Sequence, residues 1–416
     1  MVKVEIITIG DELLIGQVVD TNSSWMSQQL NKVGFDVQYK TTVGDVESDI
    51  LDAFERAFSR VSVVLVTGGI GPTKDDITKH TLCRFFNARL VFDLQTLKTV
   101  ENVMAGLHRD LNELTRNQAY VPDNCTVIQN KAGTAPVTWF ERNGKILVSM
   151  PGVPYEMKAA MSNDIIPRLQ AFFPVSAAIL HRTFWVKNYS ESLLSMQLET
   201  FECALPDFIK LAYLPTSGLI RLRLTGKSDN EESLAGEMQK QRDKLWNLLQ
   251  NDIVSEADED LEITLDKLLR EKGLTLSVAE SCTGGKLAGL FTAIPGCSRY
   301  FKGGVVSYSN EAKRDVLGVN FSDIEEHGAV SRPVVEQMAW GARKIFHSDC
   351  SIATTGIAGP DGGTPGKPVG TVWIAVSYND KLHAQKFHFS QNRESNILRA
   401  CNTGMQLLLE IIFSHQ

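Results

Sequence analysis

One serine stands where a buried strand is expected to end and a helix to begin. Ser281 follows an apolar run that begins at Leu276, and a helical pattern begins at Leu287 after two glycines. A strand that ends in this way brings a side chain to free backbone N–H groups, which can hold an anion or an oxyanion. Ser281 is therefore the candidate nucleophile. The candidate oxyanion donors are the N–H groups near Thr283, Gly284 and Gly285.

A serine hydroxyl is a weak nucleophile at neutral pH, so a base is expected nearby. Lys286 does not meet the S-x-x-K spacing of some Ser/Lys enzymes. Lys313 is the better candidate, because it follows a β-rich run at Tyr308, where a helix is expected to start. Both side chains can then return to one cleft at the strand ends, and Ser with Lys is a known variant of the Ser/His/Asp arrangement. Cys282 is a rival nucleophile by chemistry, but strand alternation directs its side chain away from that of Ser281.

The composition limits the classes of protein to which this chain can belong. The chain has 416 residues, 43% of them hydrophobic and 22% charged, which is enough for two or three domains. Its net charge of -7 and the lack of a basic block argue against a nucleic-acid partner. Seven scattered cysteines without a C-x-x-C pair indicate reduced thiols. The charged amino terminus and the lack of a long apolar run predict no signal peptide, no membrane partner and a cytoplasmic location.

The amino-terminal half alternates predicted strands with helices. Residues 2–9 and 61–66 are expected to be buried strands, and residues 21–33 an amphipathic helix capped by Asp20 or Thr21. Such alternation predicts a parallel sheet that binds ligands at its strand ends.

Glycines and acids follow these two strands. The glycine loop matches neither a G-x-G-x-x-G fingerprint nor a P-loop, but it is a candidate phosphate-binding nest. Its residues are Gly68, Gly69, Gly71 and Thr73. Carboxylates at two strand ends can also supply oxygen ligands for a hard divalent cation. These are Asp11, Glu12, Asp75 and Asp76. The alternative is that the four acids cap helices and stay solvated.

Four motifs in one order resemble the CinA family, whose carboxy-terminal domain is a nicotinamide mononucleotide amidase. They are the Ser281 motif, the run 308–313, the segment 327–331 and the segment 354–363. The resemblance covers the whole chain, because the amino-terminal half is similar to the molybdopterin-binding-like domain of that family. Two further loops of that half resemble the family, at residues 133–136 and 150–154.

The resemblance implies an α/β fold with three modules. These are a parallel-sheet molybdopterin-binding-like domain at residues 1–174, a small KH-like α+β module at 175–256, and an α/β amidase domain at 261–416. The acid-rich segment 251–260 is the expected linker, and the loop 359–370 is suited to a lid.

The resemblance also carries the functional positions of the family onto this chain. They fall on Ser281, Lys313, Tyr308, Thr355 and Arg393. The implied reaction is hydrolysis of the carboxamide of nicotinamide mononucleotide, which needs no cofactor. Similar first domains hydrolyse ADP-ribose with a metal, which favours a divalent-metal site at the four acids. The family usually has a glycine after Pro136, and this chain has Val137 there. The resemblance therefore supports the fold of the first domain more strongly than its activity.

The middle module lacks the G-x-x-G loop of nucleic-acid-binding KH modules. We therefore expect it to be a spacer or a dimer element, with a homodimer and small nucleotides as the partners. The competing hypothesis is a regulatory protein linked to competence or DNA damage, which binds nucleotides without turnover.

Overall fold

The fold is taken from a computed structural model that describes residues 1–73, 75–174, 178–216 and 218–413. The chain divides into one unit of Met1–Leu180 with Gly226–Gly236, and another of His181–Thr225 with Glu237–Gln416. The predicted boundary at residue 175 and the predicted end at residue 416 lie outside the described residues, and the division into three modules stays a prediction.

The amino-terminal region contains the strands β1 (Lys3–Ile9), β2 (Asp36–Val43), β3 (Val63–Thr67), β4 (Leu90–Phe92), β5 (Tyr120–Pro122), β6 (Thr126–Ile128), β7 (Val137–Arg142) and β8 (Lys145–Met150). Its helices are α1 (Asp11–Leu14), α2 (Thr21–Lys32), α3 (Glu47–Arg60), α4 (Thr78–Phe86), α5 (Leu94–Gly106), α6 (Glu113–Arg116), α7 (Pro154–Ala160) and α8 (Ile166–Phe172). Asp20 caps α2, as the sequence predicts, by accepting a hydrogen bond from the N–H of Ser23 at 2.9 Å.

The main sheet of this region has the strand order β2-β1-β3-β8-β7-β6. The first four strands are parallel, as predicted, and β7 and β6 run antiparallel to their neighbours. The direction changes between β7 and β8 because Asn143 and Gly144 join them in a tight hairpin, both with positive φ (54° and 71°). Helices α2 and α7 cover one face of the sheet, and α3 and α4 cover the other.

The rest of the chain contains the strands β9 (Ala178–Val186), β10 (Ile209–Pro215), β11 (Ile220–Ser228), β12 (Ile253–Glu256), β13 (Leu276–Glu280), β14 (Phe301–Val306), β15 (Cys350–Gly356), β16 (Thr371–Tyr378) and β17 (Lys381–His388). Its helices are α9 (Glu191–Cys203), α10 (Glu231–Leu249), α11 (Leu261–Lys272), α12 (Lys286–Thr292), α13 (Asn310–Asp315), α14 (Phe321–His327), α15 (Arg332–Phe346) and α16 (Arg393–Phe413). Among the described residues, no helix is long and apolar enough to cross a membrane.

The segment expected to be a linker is partly a strand. The sheet of the middle region has the order β10-β11-β9-β12, and β12 pairs antiparallel with β9. The acidic character of the segment was misleading, because Glu256 accepts hydrogen bonds from the guanidinium of Arg242 at 2.6 and 2.9 Å. The carboxylate is thus held by α10 rather than left in solvent.

The last sheet has the order β14-β13-β15-β16-β17. Strands β14, β13 and β15 are parallel neighbours, so their carboxyl ends meet at one edge. Strands β16 and β17 continue the sheet in antiparallel register. Helices α11, α12 and α16 pack on one face and α15 packs on the other, which buries the interior strand β13 completely.

Candidate active site

Three neighbouring strands end at the edge where the predicted nucleophile lies. Ser281 follows β13 directly, and its N–H donates to the carbonyl of Thr354 in β15 at 2.9 Å. Ser307 follows β14, and its N–H donates to the carbonyl of Glu280 at 2.8 Å. These bonds extend the sheet by one residue on each side of Ser281 and fix its backbone.

The buried carboxylate of Glu280 shapes the turn after β13. Glu280 is 0% exposed. It accepts hydrogen bonds from the N–H groups of Gly285 (3.0 Å), Leu287 (3.0 Å) and Ala288 (2.8 Å). A carboxylate at a helix start is stabilised by the free N–H groups and by the helix dipole. Glu280 therefore ties the strand that carries Ser281 to the start of α12.

The predicted oxyanion donors need a correction. The N–H of Gly284 donates to the carbonyl of Ser281 at 3.2 Å, and that of Gly285 is taken by Glu280. Both glycines have positive φ, 61° and 95°, so their role is to allow the tight turn. Within the described part of the chain, the N–H groups of Cys282 and Thr283 donate no hydrogen bond to another residue. These two groups remain free to receive an oxyanion.

Lys313 and Ser281 are brought together although 32 positions separate them in the chain. The Nζ of Lys313 lies 3.2 Å from the Oγ of Ser281. Lys313 is 1% exposed, and Ser281 is 9% exposed. The lysine reaches the serine from α13, the short helix that follows β14. A serine hydroxyl and a buried amine at this distance can exchange a proton.

Carbonyl oxygens surround the rest of the Lys313 amine. The Nζ donates to the carbonyl of Ser307 at 2.8 Å, and it lies 3.4 Å from the carbonyls of Tyr308 and Ser309. A neutral amine that gives its two N–H bonds to such carbonyls directs its lone pair towards the remaining neighbour, the hydroxyl of Ser281.

Burial lowers the pKa of Lys313 below its ordinary value of 10.5. The sequence suggested two causes for such a shift, burial and a nearby cation. In the structure burial is the cause, whereas Cys282 and Glu311 act in the opposite direction and raise the pKa. Desolvation disfavours the ammonium form and so increases the fraction of neutral amine.

Cys282 has the orientation expected from strand alternation. Its side chain is 5% exposed and belongs to the apolar core on the α11 and α16 face. Burial raises the pKa of the Cys282 thiol to about 12. A thiol whose pKa is raised in this way is a poor nucleophile at neutral pH. Lys286, the other lysine considered, is exposed on α12.

The remaining predicted positions lie around the same edge in two groups. The Oη of Tyr308 accepts a hydrogen bond from Arg393 at 3.1 Å, and Arg393 also donates to the carbonyl of Gly359 at 2.9 Å. This pair joins the end of β14 to the 359–370 loop. Thr355 is completely buried, and its hydroxyl donates to the carbonyl of Ala329 at 2.9 Å. Thr355 is therefore bound to the 327–331 segment and is not hydrogen-bonded to Ser281 or Lys313.

Sequence reasoning missed two groups that hold this site. Glu280 was visible only as a charged residue at the end of an apolar run, and that position was the available signal. The hydroxyls of Thr283 and Thr354 lie 2.7 Å apart and are both buried, which ties the turn to β15. No sequence spacing signals a contact of this kind, because the two threonines lie on different strand ends.

In the amino-terminal unit, the predicted glycine loop lines a cavity of about 380 Å³ at the carboxyl ends of β1, β3 and β8. The two loops that resembled the family also line it, with Thr134 and Gly152 among their residues. Gly68 has a φ of 106°, and a Cβ there would lie 2.1 Å from the carbonyl oxygen of Ile9. Only glycine fits where the two strand ends approach so closely.

The four acids of the predicted metal site make separate contacts in the structure, and the site stays a prediction. Among the described residues, no group of three or more His, Cys, Asp or Glu side chains is placed to hold a metal ion. Asp76 instead accepts hydrogen bonds from the N–H groups of Gly71 (2.7 Å) and Thr73 (2.8 Å). Asp11 accepts one from the N–H of Asp45 at 3.2 Å. Glu12 lines the cavity, and Asp75 is exposed. Asp76 thus shapes the glycine loop by accepting hydrogen bonds from two of its N–H groups, and it does not cap a helix.

The fold and this site define a two-part α/β protein with a serine–lysine pair at a strand edge of its carboxy-terminal domain. Residues 258–412 match the model of the CinA C-terminal domain, and residues 5–171 match that of the "Probable molybdopterin binding domain". The chain is 43% identical over 415 residues to a CinA-like protein of Flavobacterium psychrophilum, with 99% of each chain covered. It is 38% identical over 408 residues to a CinA-like protein of Gemmatimonas aurantiaca, with 97% of this chain and 95% of that protein covered.

A solved structure of competence damage-inducible protein A from Klebsiella pneumoniae is 35% identical and covers 38% of this chain and 97% of its own, with a TM-score of 0.37. The family of this chain is shown by the two CinA-like proteins, which match nearly its whole length. The chain belongs to the CinA family.

Proposed function

We propose that the carboxy-terminal domain hydrolyses the carboxamide of nicotinamide mononucleotide to nicotinic acid mononucleotide and ammonia. The observation that carries the proposal is the buried Lys313 amine, 3.2 Å from the Oγ of Ser281. An amide is a poor electrophile, so its hydrolysis needs an activated nucleophile, a place for the oxyanion and a proton for the leaving amine. This edge of the sheet offers a residue for each.

In the first step, the neutral amine of Lys313 takes the proton of the Ser281 hydroxyl while the Oγ attacks the carboxamide carbon. The carbonyl oxygen becomes an oxyanion, which the N–H groups of Cys282 and Thr283 receive. The tetrahedral adduct then collapses. The ammonium of Lys313 returns its proton to the leaving nitrogen, so that ammonia departs and an ester remains on Ser281.

In the second step, water attacks the ester carbon and gives its proton to Lys313. The C–O bond to Ser281 breaks, the serine recovers a proton from Lys313, and nicotinic acid mononucleotide leaves as the free carboxylate after its carboxyl proton passes to solvent. Arg393 binds the phosphate of the substrate in this proposal. Tyr308 holds the guanidinium in place, and Thr355 fixes the 327–331 segment next to the site.

The test is a measurement of ammonia release from nicotinamide mononucleotide by the full chain. Wild type should release ammonia with one equivalent of the acid product, and Ser281→Ala should lose almost all turnover while its circular dichroism is unchanged. The double variant Ser281→Ala/Lys313→Ala should be little worse than the single one, because the two residues act as a unit. If wild type bound the nucleotide without releasing ammonia, the competing interpretation as a regulatory nucleotide-binding protein would hold.

We keep hydrolysis of ADP-ribose as a second proposal for the amino-terminal domain. The cavity of about 380 Å³ at the strand ends supports it, because it adjoins the glycine loop. Asp76→Ala should abolish this turnover, since it frees the N–H groups of Gly71 and Thr73 and loosens the loop. Ammonia release should be unchanged in the same variant. Equal hydrolysis of ADP-ribose with magnesium and with a chelator would exclude the metal dependence implied by the family resemblance.

A further inference from the structure

One threonine of β15 contacts three consecutive residues of the turn that carries the candidate nucleophile. The carbonyl of Thr354 accepts a hydrogen bond from the N–H of Ser281 at 2.9 Å. The hydroxyl of Thr354 lies 2.7 Å from that of Thr283, and it also forms a hydrogen bond with the thiol of Cys282. Thr354 therefore contacts the nucleophile and both of the residues whose N–H groups are free to receive an oxyanion.

The two threonine hydroxyls form a link that is shielded from solvent. Thr283 and Thr354 are both buried. The distance of 2.7 Å between their Oγ1 atoms is that of a well-formed O–H···O hydrogen bond. A hydroxyl buried in this way is costly without a partner, and a hydrogen bond between two such groups is strengthened by the low local dielectric. The pair thus fastens the side chain of Thr283 to β15.

The position of Thr283 in the turn explains why such a link matters. On one side, the sheet holds Ser281 through its N–H. On the other side follow Gly284 and Gly285, both with positive φ, and glycine restricts the backbone less than any other residue. Glu280 holds the end of the turn through the N–H of Gly285, and Thr354 holds its middle.

We propose that Thr354 is a positioning residue for the oxyanion, which fixes the free N–H groups of Cys282 and Thr283 through its hydrogen bond to the Thr283 hydroxyl. This inference rests on the proposed function. Donors stabilise an oxyanion best when they are already in place, because no energy is then spent on moving them during the reaction. A small displacement of these N–H groups should therefore lower kcat and leave the binding of the unreacted substrate nearly unchanged.

The variant Thr354→Val tests the proposal, because valine keeps the branched shape and the backbone carbonyl but lacks the hydroxyl. We expect kcat for ammonia release to fall about tenfold or more, and KM to change by less than about twofold. Thr354→Ser restores a hydroxyl and should recover most of the rate. Thr283→Val removes the other partner of the same hydrogen bond, so the double variant Thr354→Val/Thr283→Val should be little worse than either single variant.

An aldehyde in place of the carboxamide gives a readout that does not depend on turnover. The Oγ of Ser281 adds to the aldehyde carbon, the carbonyl oxygen becomes an oxyanion, and the proton of the hydroxyl passes to Lys313. The probe is the aldehyde analogue of nicotinamide mononucleotide, and nicotinic acid mononucleotide is the ligand that forms no adduct. Thr354→Val should bind the aldehyde about tenfold or more weakly than wild type, and it should bind the acid with nearly the same affinity.

The matched control is a second hydroxyl pair near the opposite end of β13. The Oγ atoms of Ser277 and Ser348 lie 2.7 Å apart, and both residues are buried. Ser277→Ala should lower the melting temperature by an amount similar to that for Thr354→Val. It should leave kcat and the affinity for the aldehyde unchanged, because this pair lies at the end of the strand that is remote from Ser281.

The aldehyde experiment separates the role of Thr354 from the identity of the reaction. Equal affinity of wild type and Thr354→Val for the aldehyde, including no binding to either, would overturn the role of Thr354. An equal loss of affinity in Ser277→Ala would overturn it as well. If wild type released no ammonia, the proposed amidase would be refuted, and the aldehyde affinities would still decide whether Thr354 positions the oxyanion donors.

Discussion

The amine of Lys313 lies closer to the carbonyl oxygen of Ser307 than to the hydroxyl of Ser281, at 2.8 Å against 3.2 Å. Ser307 directly follows β14, so the end of the strand that neighbours β13 provides the acceptor that orients the lysine. The serine and its base are thus positioned by two adjacent strands of one sheet. The predictions below test the consequences of this arrangement.

Replacing the base should abolish amide hydrolysis even where the positive charge is kept. In Lys313→Arg the guanidinium stays protonated in proteins, so it cannot take the proton of Ser281. We expect ammonia release to fall by about three orders of magnitude or more, comparable to the loss of a nucleophile or its base elsewhere. Lys286→Met, which removes an exposed lysine of the same motif, should keep the wild-type rate. An active Lys313→Arg variant would move the role of the base to another group.

The pH dependence of kcat/KM should report the lowered pKa of Lys313. The neutral amine is the active form, so kcat/KM should fall tenfold per pH unit below that pKa and level off above it. Because burial lowers this pKa, the plateau should be reached below pH 10.5, the ordinary value for lysine. The measurement is a pH series of ammonia release in buffers of constant ionic strength. A profile that keeps rising to pH 10.5 would show that burial does not tune this lysine.

Glu280 should matter for both stability and rate. Glu280→Ala leaves three N–H groups at the start of α12 without their acceptor, so we expect the free energy of unfolding to fall by about 3 kcal/mol. The substitution should displace Ser281 and leave the substrate pocket in place. We therefore expect kcat to fall by a larger factor than KM rises. Denaturant unfolding and steady-state kinetics measure the two effects.

The matched control for Glu280 is Glu5→Gln. Glu5 is another buried carboxylate, 1% exposed, which pairs with Arg60 in the amino-terminal unit. This control should lower stability without slowing ammonia release. If both variants slowed the reaction equally, Glu280 would act through the overall stability of the protein and not by positioning Ser281.

Arg393 should act through the phosphate of the substrate. Arg393→Ala should raise the KM for nicotinamide mononucleotide by about tenfold or more, since a charge-assisted contact is lost. It should leave the rate with nicotinamide riboside, which lacks the phosphate, nearly unchanged. Lys386→Ala, an exposed cation on β17, is the control for overall charge. An equal loss with both substrates would show that Arg393 serves the chemical step through Tyr308 or Gly359 instead.

The sequence by itself determined the elements and the order of the chemical groups. Strands alternating with helices predicted the parallel sheet of the amino-terminal half, and four neighbouring strands of that sheet are parallel in the structure. The glycines after Ser281 and the short run to Lys313 predicted that both residues follow strand ends. Strand alternation also predicted that the side chain of Cys282 points away from that of Ser281, and the structure places it in the core.

The tertiary structure alone decided which groups are already bonded. The sequence offered Gly284 and Gly285 as oxyanion donors, but Glu280 and the carbonyl of Ser281 take their N–H groups. It offered Asp76 as a metal ligand, and only the structure shows that this carboxylate already accepts hydrogen bonds from two N–H groups of its own loop. The type of a residue determines what its side chain and backbone are able to bind. Whether a donor or acceptor is still unoccupied depends on neighbours from distant parts of the chain. The packing of the sheets and helices decides which neighbours come within hydrogen-bond distance.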